Sequence, residues 1–578
     1  MEYKIINKSL EEDLNAIEQV LYNRGIEKQD ISHYLHTTDD DILEPTLLDN
    51  IELGCEMLID CITNKKKMFV IPDVDADGFT SAAILINYLS LVDEEYVKKY
   101  VTYGINEGKV HGIILENIPD DVSLVVCPDS ASNDYEQHKI LKDKGINVLV
   151  IDHHEAEYVS EDAIIINNQL CNYPNKTLSG AGVVYKVCCQ LDRMLSVDYA
   201  RNFLDLVALG LISDMVSLKD FETKRLIELG MTYIRNPFFK SMCAKNKFVM
   251  KDTITPFTIA FYITPYINAT VRMGSKSEKQ TLFESMLNIK AYEQIPSTKR
   301  GCKGQFETRV EQACRNCTNI KRKQTDARDA SLKRIEELIH SQNLLDNKIL
   351  LITLDNSIDF NKNLTGLIAN QLMAKYQKPV LLLRDEGKDW SGSARGVSGS
   401  SLEDLRKFVE NTLLLNFAQG HANAFGFSIP KTNTEYFIDL TNKLLKDVEF
   451  NPCYKVDFIF NGCDFNSNDI IQISDYQHLY GQGIEEPYIA IENLTINKDN
   501  LFLMSKDKNP TLKITLPNGT SLIRFKSSEE EYEKLYSDLG CVKINVVGQC
   551  RQNYWNGQTT AQIEIVEYEI VGGQSYYF

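Results

Sequence analysis

Residues 147–155 read NVLVIDHHE. Val148, Leu149, Val150 and Ile151 form an apolar run suited to a strand covered on both faces, and it stops at Asp152, His153, His154 and Glu155. One acid beside two imidazoles at a strand end is ordinary loop chemistry, so its meaning depends on how other apolar runs end. KMFVIPD (67–73) leads into Asp75, Asp77 and Gly78, SLVVCPD (123–129) ends at Asp129 and Ser130, and the apolar stretch LVALGLIS (206–213) is closed by Asp214.

These runs alternate with helical patterns such as TSAAILINYLSLV (80–92) and GVVYKVCCQLDRML (182–195). Such alternation predicts an α/β unit with a parallel sheet, in which ligands bind at the carboxyl ends of the strands. If the strands are neighbours, their acids and imidazoles converge on one edge. Taken singly, DVDADG (73–78) reads as an Asx-turn series and Asp129 as a helix cap. Taken together, the acids repel one another unless a cation neutralises them. Oxygen ligands with an imidazole suit Mn²⁺ or Mg²⁺, and two such ions would serve phosphoryl chemistry.

A chain of 578 residues predicts two to four domains, and 43% hydrophobic with 25% charged residues is a globular composition. No apolar stretch is long enough to span a bilayer and MEYKIINKSLEEDL lacks the apolar core of a signal peptide, so a cytoplasmic protein without membrane contact is expected. The fourteen cysteines do not read as a disulfide framework, and Cys314-Arg-Asn-Cys317 has no second pair to complete a zinc site. The net charge of −19 argues against nucleic acid, yet NKKK (64–67), KRGCK (299–303) and IKRK (320–323) are each readable as a local positive patch or as solvated surface.

Residues 1–66 read as a polar helical extension, 67–307 as the α/β unit carrying the acids, and 308–345 as a connecting helix. A second alternation predicts a smaller α/β domain over 346–450. After a linker, hairpin signals at Pro517-Asn518-Gly519 and Trp555-Asn556-Gly557 predict a β-barrel within 451–578.

The ordered set DVDADG, CPDS (127–130), DHH (152–154) and ISDMVSL (212–218) resembles the DHH phosphoesterase superfamily, and within it the RecJ group of single-strand DNA exonucleases. LSGAGV (178–183), PYINA (265–269) followed by Arg272, SGSAR (391–395), QGHANAFG (419–426) and YGQG (480–483) before Glu486-Pro487 extend the resemblance over nearly the whole chain. It implies a DHH domain, a long connecting helix, a DHHA1-like second domain and an OB-fold. It also implies Asp75, Asp77, Asp129, His153 and Asp214 as metal ligands, with Asp73 and Asp152 on the metal or behind it. Asp152, His154 and His421 would be catalytic, His154 facing the scissile phosphate. Arg272, Asn268, Ser393 and Arg395 would hold the substrate, including its 5′ end. The group's arginine after the first motif has no counterpart in TYGINEGKVHG (102–112), where Lys109 or His111 stands in for it. Candidate DNA contacts of the barrel are Arg524, Lys526, Arg551, Tyr554 and Trp555.

The implied activity is metal-dependent 5′→3′ hydrolysis of single-stranded DNA in repair or recombination, by a monomer that works with a single-strand-binding protein or a helicase. Two alternatives share the resemblance: a phosphodiesterase for short oligonucleotides or cyclic dinucleotides, and a non-catalytic replication scaffold.

Overall fold

The computed structural model describes the chain apart from residues 8–10, 12, 109, 251–252, 357–359, 398, 451–452, 506–508, 537–539 and 576–578. It divides into two compact units. One comprises residues 26–323 with 477–485, the other 1–25, 324–476 and 486–578.

The first unit is built on a five-stranded parallel sheet. Its order is Val101–Tyr103, Met68–Val70, Leu124–Pro128, Asn147–Asp152 and Ile164–Asn167. Met68 is in register with Leu124, and Leu124 with Asn147, so the three runs that end in acids are adjacent and point the same way. Their side chains are almost all buried, as expected for a sheet covered on both faces. Helix Ala76–Val92, apolar all round, packs against helices Gly180–Leu195 and Leu204–Ser213. It starts at once after the first strand because the Asp75 side chain caps it, accepting from the Gly78 amide at 2.9 Å.

Helix Arg309–Ser341 continues the chain from this unit into the other. There a five-stranded sheet has the order Phe417–His421, Ala424–Pro430, Asp389–Arg395, Val380–Glu386 and Leu350–Leu354. An eight-stranded sheet holds the C-terminal strands, including the hairpins 511–525 and 540–575 that turn at the expected Asn-Gly pairs.

The N-terminus departs from a helical extension. Glu2–Ile5 is a strand, parallel to Cys453–Asn461 at the edge of the eight-stranded sheet. Tyr3 and Ile5 alternate with polar residues, and the strand is pinned at both kinds of group: the terminal amine pairs with Glu569 at 2.9 Å and the Tyr3 hydroxyl donates to Glu492 at 2.7 Å. A four-residue alternation is too short to read against the helices that follow. The cysteines are all unpaired thiols, most of them buried. Among the described residues no helix is long and apolar enough to cross a membrane.

Candidate metal centre

The carboxyl edge of the parallel sheet gathers three interlocking sets of ligand atoms: Asp73, Asp75 and Asp129; Asp77, His153 and Asp214; and Asp129, Asp152, His153 and His154. Within each set the atoms lie within 4.8 Å of one another. His153 Nε2 is 3.1 Å from Asp129 Oδ1 and its Nδ1 is 3.8 Å from Asp214 Oδ2. Two glycines leave the room the acids occupy. A Cβ at Gly180 would stand 2.3 Å from Asp129 Oδ1, and one at Gly210 would stand 2.3 Å from Asp77 Oδ1. Asp129 itself adopts a left-handed backbone (φ 73°), a conformation that Asp tolerates and that aims its side chain out of the strand's normal alternation.

The buried acids fall into two kinds. Asp152 is saturated with donors: its Oδ1 accepts from the His153 amide (2.7 Å), the His154 amide (3.2 Å) and His154 Nδ1 (2.7 Å), and its Oδ2 from the Ser132 amide (3.1 Å). Burial raises its pKa, but the His154 hydrogen bond and the charges of both imidazoles win, and the carboxyl sits well below its ordinary range. The same contact lifts His154 to about 9, so its half-exposed ring is a cation near neutral pH. Burial and the neighbouring His154 push His153 down to about 4, which leaves a neutral imidazole able to act as a ligand.

Asp77, Asp129 and Asp73 are the other kind, and Asp214, about one-third exposed, stands beside them. Asp77 Oδ1 accepts from Ser179 Oγ at 2.9 Å and the Ala181 amide at 3.3 Å, but Asp77 Oδ2, Asp73 Oδ1 and Asp129 Oδ1 are buried and accept a hydrogen bond from no described residue. Burial and the mutual repulsion of the acids push Asp77 up to about 6, Asp214 to about 8 and Asp129 well above the carboxylate range. Burial also raises Asp73, against the opposing pull of His111. Buried oxygens without donors, on acids that repel one another, beside a neutral imidazole, fit a divalent-cation centre of oxygen ligands.

Sequence reading did not anticipate the partner of Asp73. His111 Nδ1 lies 2.5 Å from Asp73 Oδ2, which leaves Oδ1 of the same carboxylate facing inward. The His111 loop is shaped by Asn106, whose amide donates to the carbonyls of Val110 (3.2 Å) and Gly112 (2.9 Å). The two residues are 38 positions apart, a separation that no local pattern marks.

The remaining predicted residues divide between the units. Arg272 sits on helix Thr264–Met273 in the same unit, its pKa lowered by burial against the opposing charge of Asp75. Asn268, one turn earlier, buries an Oδ1 that no described donor reaches. Lys109 lies outside the described residues. In the other unit Ser393 and Arg395 end one strand and His421, exposed, ends another. A Cβ on Gly366, in the first turn of helix Thr365–Tyr376, would be 2.8 Å from an Arg395 guanidinium nitrogen and 3.7 Å from Ser393 Oγ. A partly buried guanidinium, a hydroxyl and a helix N-terminus thus meet at one point, an arrangement suited to an anion. Among the described residues, Arg395 pairs with no carboxylate.

The C-terminal candidates behave differently. Arg524 is spent on Glu531 (2.8 Å) and the Val566 carbonyl (3.0 Å), and Arg551 on Glu564 (3.1 Å) and Glu486. Tyr554 and Trp555, at the hairpin tip, are 72% and 78% exposed.

A parallel sheet that carries such a centre at its carboxyl edge, joined by a long helix to a second α/β unit, is the design of a DHH-type phosphoesterase. Residues 67–211 match the model of the DHH family, N-terminal domain, and residues 460–567 match that of the RecJ OB domain. The chain is 37% identical over 581 residues to the putative SPbeta prophage-derived single-strand DNA-specific exonuclease YorK of Bacillus subtilis, covering 99% of this chain and 98% of that one. It is 24% identical to the single-stranded-DNA-specific exonuclease RecJ of the same organism, over 96% of this chain and 69% of that one. The fold matches the crystal structure of Thermus thermophilus RecJ in complex with Mn²⁺ with a TM-score of 0.69 at 18% identity, covering 98% of this chain and 79% of that one. The chain belongs to the DHH family, in its RecJ branch.

Proposed function

We propose that the protein is a metal-dependent exonuclease that hydrolyses single-stranded DNA from the 5′ end, in repair or recombination. The observation that carries this reading is the set of buried carboxylate oxygens without donors on Asp73, Asp77 and Asp129, packed around a neutral His153. Such acids repel one another when ionised, and a bound cation is the simplest group that relieves that repulsion at neutral pH. Relatives along the full length of the chain are named single-strand DNA-specific exonucleases, and RecJ of Thermus thermophilus has been crystallised with Mn²⁺ and with Mg²⁺.

Asp75, Asp77, Asp129, His153 and Asp214 would hold the ions, with Asp73 completing the set through its inward oxygen. Two such ions, when bound, acidify water at neutral pH and offset charge that builds on the phosphoryl oxygens. The protein's own groups do the rest. Asp152 fixes His154 through Nδ1 and keeps it cationic, so the free edge of the ring is a donor for a non-bridging phosphate oxygen. Arg272, partly desolvated, and Asn268 would orient the strand on the same unit. On the other unit, Ser393, Arg395 and His421 are read as further DNA contacts, Arg395 and Ser393 for a terminal 5′ phosphate. A single-strand-binding protein or a helicase would supply the single strands.

The test is incubation with Mn²⁺ and single-stranded DNA labelled at its 3′ end, beside an Asp129→Ala control. Progressive shortening of labelled DNA by the wild type only, and only with metal, is expected. Intact long DNA with cleavage of di- or trinucleotides would replace this reading with the small-substrate phosphodiesterase, and inertness on both with the scaffold.

A further inference from the structure

Two of the basic clusters of the sequence, NKKK and KRGCK, have different fates in the fold. In NKKK, Lys65 pairs with Asp93 at 2.5 Å, Lys66 with Asp60 at 2.6 Å and Lys67 with Asp121, so that cluster is neutralised where it stands. The cluster KRGCK is not. It tips a hairpin between strands Gln294–Pro296 and Phe306–Thr308, in the same unit as the metal centre. Lys299 reaches Glu307 only at 3.5 Å, across from a carboxylate already held by Arg315, and among the described residues no acid pairs with Arg300 or Lys303. Both are exposed.

The tip is also ordered. The Cys302 amide donates to the Lys299 carbonyl at 3.1 Å and the Gln305 amide to the Cys302 carbonyl at 3.0 Å, which makes two successive four-residue turns sharing Cys302. Each turn carries its cation at the second position, Arg300 then Lys303, and a left-handed glycine at the third, Gly301 (φ 82°) then Gly304 (φ 83°). The repeat presents two like charges at equivalent places, three residues apart. Phe306, 65% exposed, directly follows the second turn as the first residue of the returning strand.

The root of the hairpin is fastened toward the metal centre. Arg309 pairs with Glu293 at 2.5 Å and with Glu284. Glu284 accepts from the Tyr103 hydroxyl at 2.5 Å, and Lys290 donates to that hydroxyl at 2.8 Å. Tyr103 is the last residue of the outermost strand, and in a parallel sheet its end faces the same way as Asp73, Asp129 and Asp152.

We infer that this hairpin is a second nucleic-acid contact, in which Arg300 and Lys303 grip successive phosphates of a single strand outside the metal centre and Phe306 stacks on a base. The inference rests on the exonuclease reading for the identity of the polyanion. Two cations in register match a phosphate backbone, and an exposed ring beside them matches the stacking by which single strands are held without regard to sequence.

The test measures binding of a long and a short fluorescent oligothymidylate to the full chain in EDTA, by anisotropy across a salt series, for wild type, Arg300→Ala/Lys303→Ala, Phe306→Ala and a Lys65→Ala/Lys66→Ala control. For the tip double variant the slope of log K against log salt on the long strand should fall by about 1.4, two phosphate contacts' worth, and affinity at low salt by several-fold. Phe306→Ala should weaken the long strand without changing the slope. The control should match wild type, and cleavage of the short strand with Mn²⁺ should be unchanged in every variant. An unaltered slope in the double variant, with wild type binding and cutting DNA, overturns the inference and leaves the exonuclease reading intact. So does a double variant that keeps its DNA binding but loses binding to polyglutamate, since the tip would then serve an acidic protein. Failure of the wild type to bind or cut any DNA overturns the functional reading itself.

Discussion

The carboxyl edge of the parallel sheet and the C-terminal strands handle charge in opposite ways. At the sheet edge, Asp73, Asp77 and Asp129 keep buried oxygens that no described donor satisfies. In the C-terminal module Arg524 and Arg551 are each closed off by glutamates. A buried charge without a partner costs stability, and a charge with one is inert toward ligands. Buried acid oxygens left without a donor therefore mark where this protein expects to bind a cation, and arginines exhausted by glutamates mark a place that is only folded. Within the edge itself Asp152, held by four donors, and Asp129, whose buried Oδ1 accepts no hydrogen bond from a described residue, repeat the contrast a few ångströms apart.

The most severe way to break the comparison is to remove an uncompensated acid. Asp129→Asn should lower the Mn²⁺-dependent cleavage rate on the order of 10³-fold or more. The same change should leave the metal-free protein at least as stable, and should raise its melting temperature at alkaline pH, where Asp129 would otherwise be ionised against Asp77, Asp75 and Asp73. A variant that lost both activity and metal-free stability would show that Asp129 is a structural acid, and the contrast with Asp152 would fail.

The second effect is on stability against pH. An acid whose folded pKa stands above its unfolded value binds more protons when folded, so stability is lost as pH rises from the unfolded value toward the folded one. For Asp77, raised from 3.8 to about 6, this amounts to about 3 kcal/mol by the upper end of that interval. Asp214, raised to about 8, extends the window upward. Metal-free protein should therefore melt at progressively lower temperature between about pH 4 and pH 8, and saturating Mn²⁺ should flatten that slope. A metal-free melting temperature that did not fall over this range would contradict the state assigned to the acids.

These acids were legible in the sequence because each ends a run of buried residues, and a run covered on both faces has a signature that needs no partner to be read. The strand order that makes them neighbours was not in any one run; it followed from the ordered motifs and appears in the register of Met68 with Leu124 and Leu124 with Asn147. Contacts between distant segments left no trace of themselves. The N-terminal strand is too short to outweigh the helices after it, and His111 carries nothing that points to Asp73. The glutamates that silence Arg524 and Arg551 were likewise invisible, so both arginines read as DNA contacts on composition alone.

His111 sharpens the comparison at smaller scale, since it supplies Asp73 with the one donor that Asp129 lacks. By holding Oδ2 it orients the carboxylate while Oδ1 stays free. His111→Ala should weaken Mn²⁺ binding, read by calorimetry, by about 10–100-fold, with metal-free melting little changed, and His111→Asn should recover part of the loss if donation to Asp73 is the relevant contact. Equal Mn²⁺ affinity in wild type and His111→Ala would mean that Asp73 is oriented without it.

The smallest effect belongs to the compensated side. Arg551→Ala leaves Glu486 and Glu564 facing each other without the guanidinium that lies between them, and should destabilise the protein by about 1–2 kcal/mol. Because the lost group was already spent inside the module, cleavage of a short oligonucleotide and the salt dependence of binding to a long one should both stay at wild-type values once the protein is folded. That combination separates the two regions most cleanly. If Arg551→Ala lowered the salt slope, a paired arginine of this module would be shown to reach DNA, and the contrast between the two regions would fail.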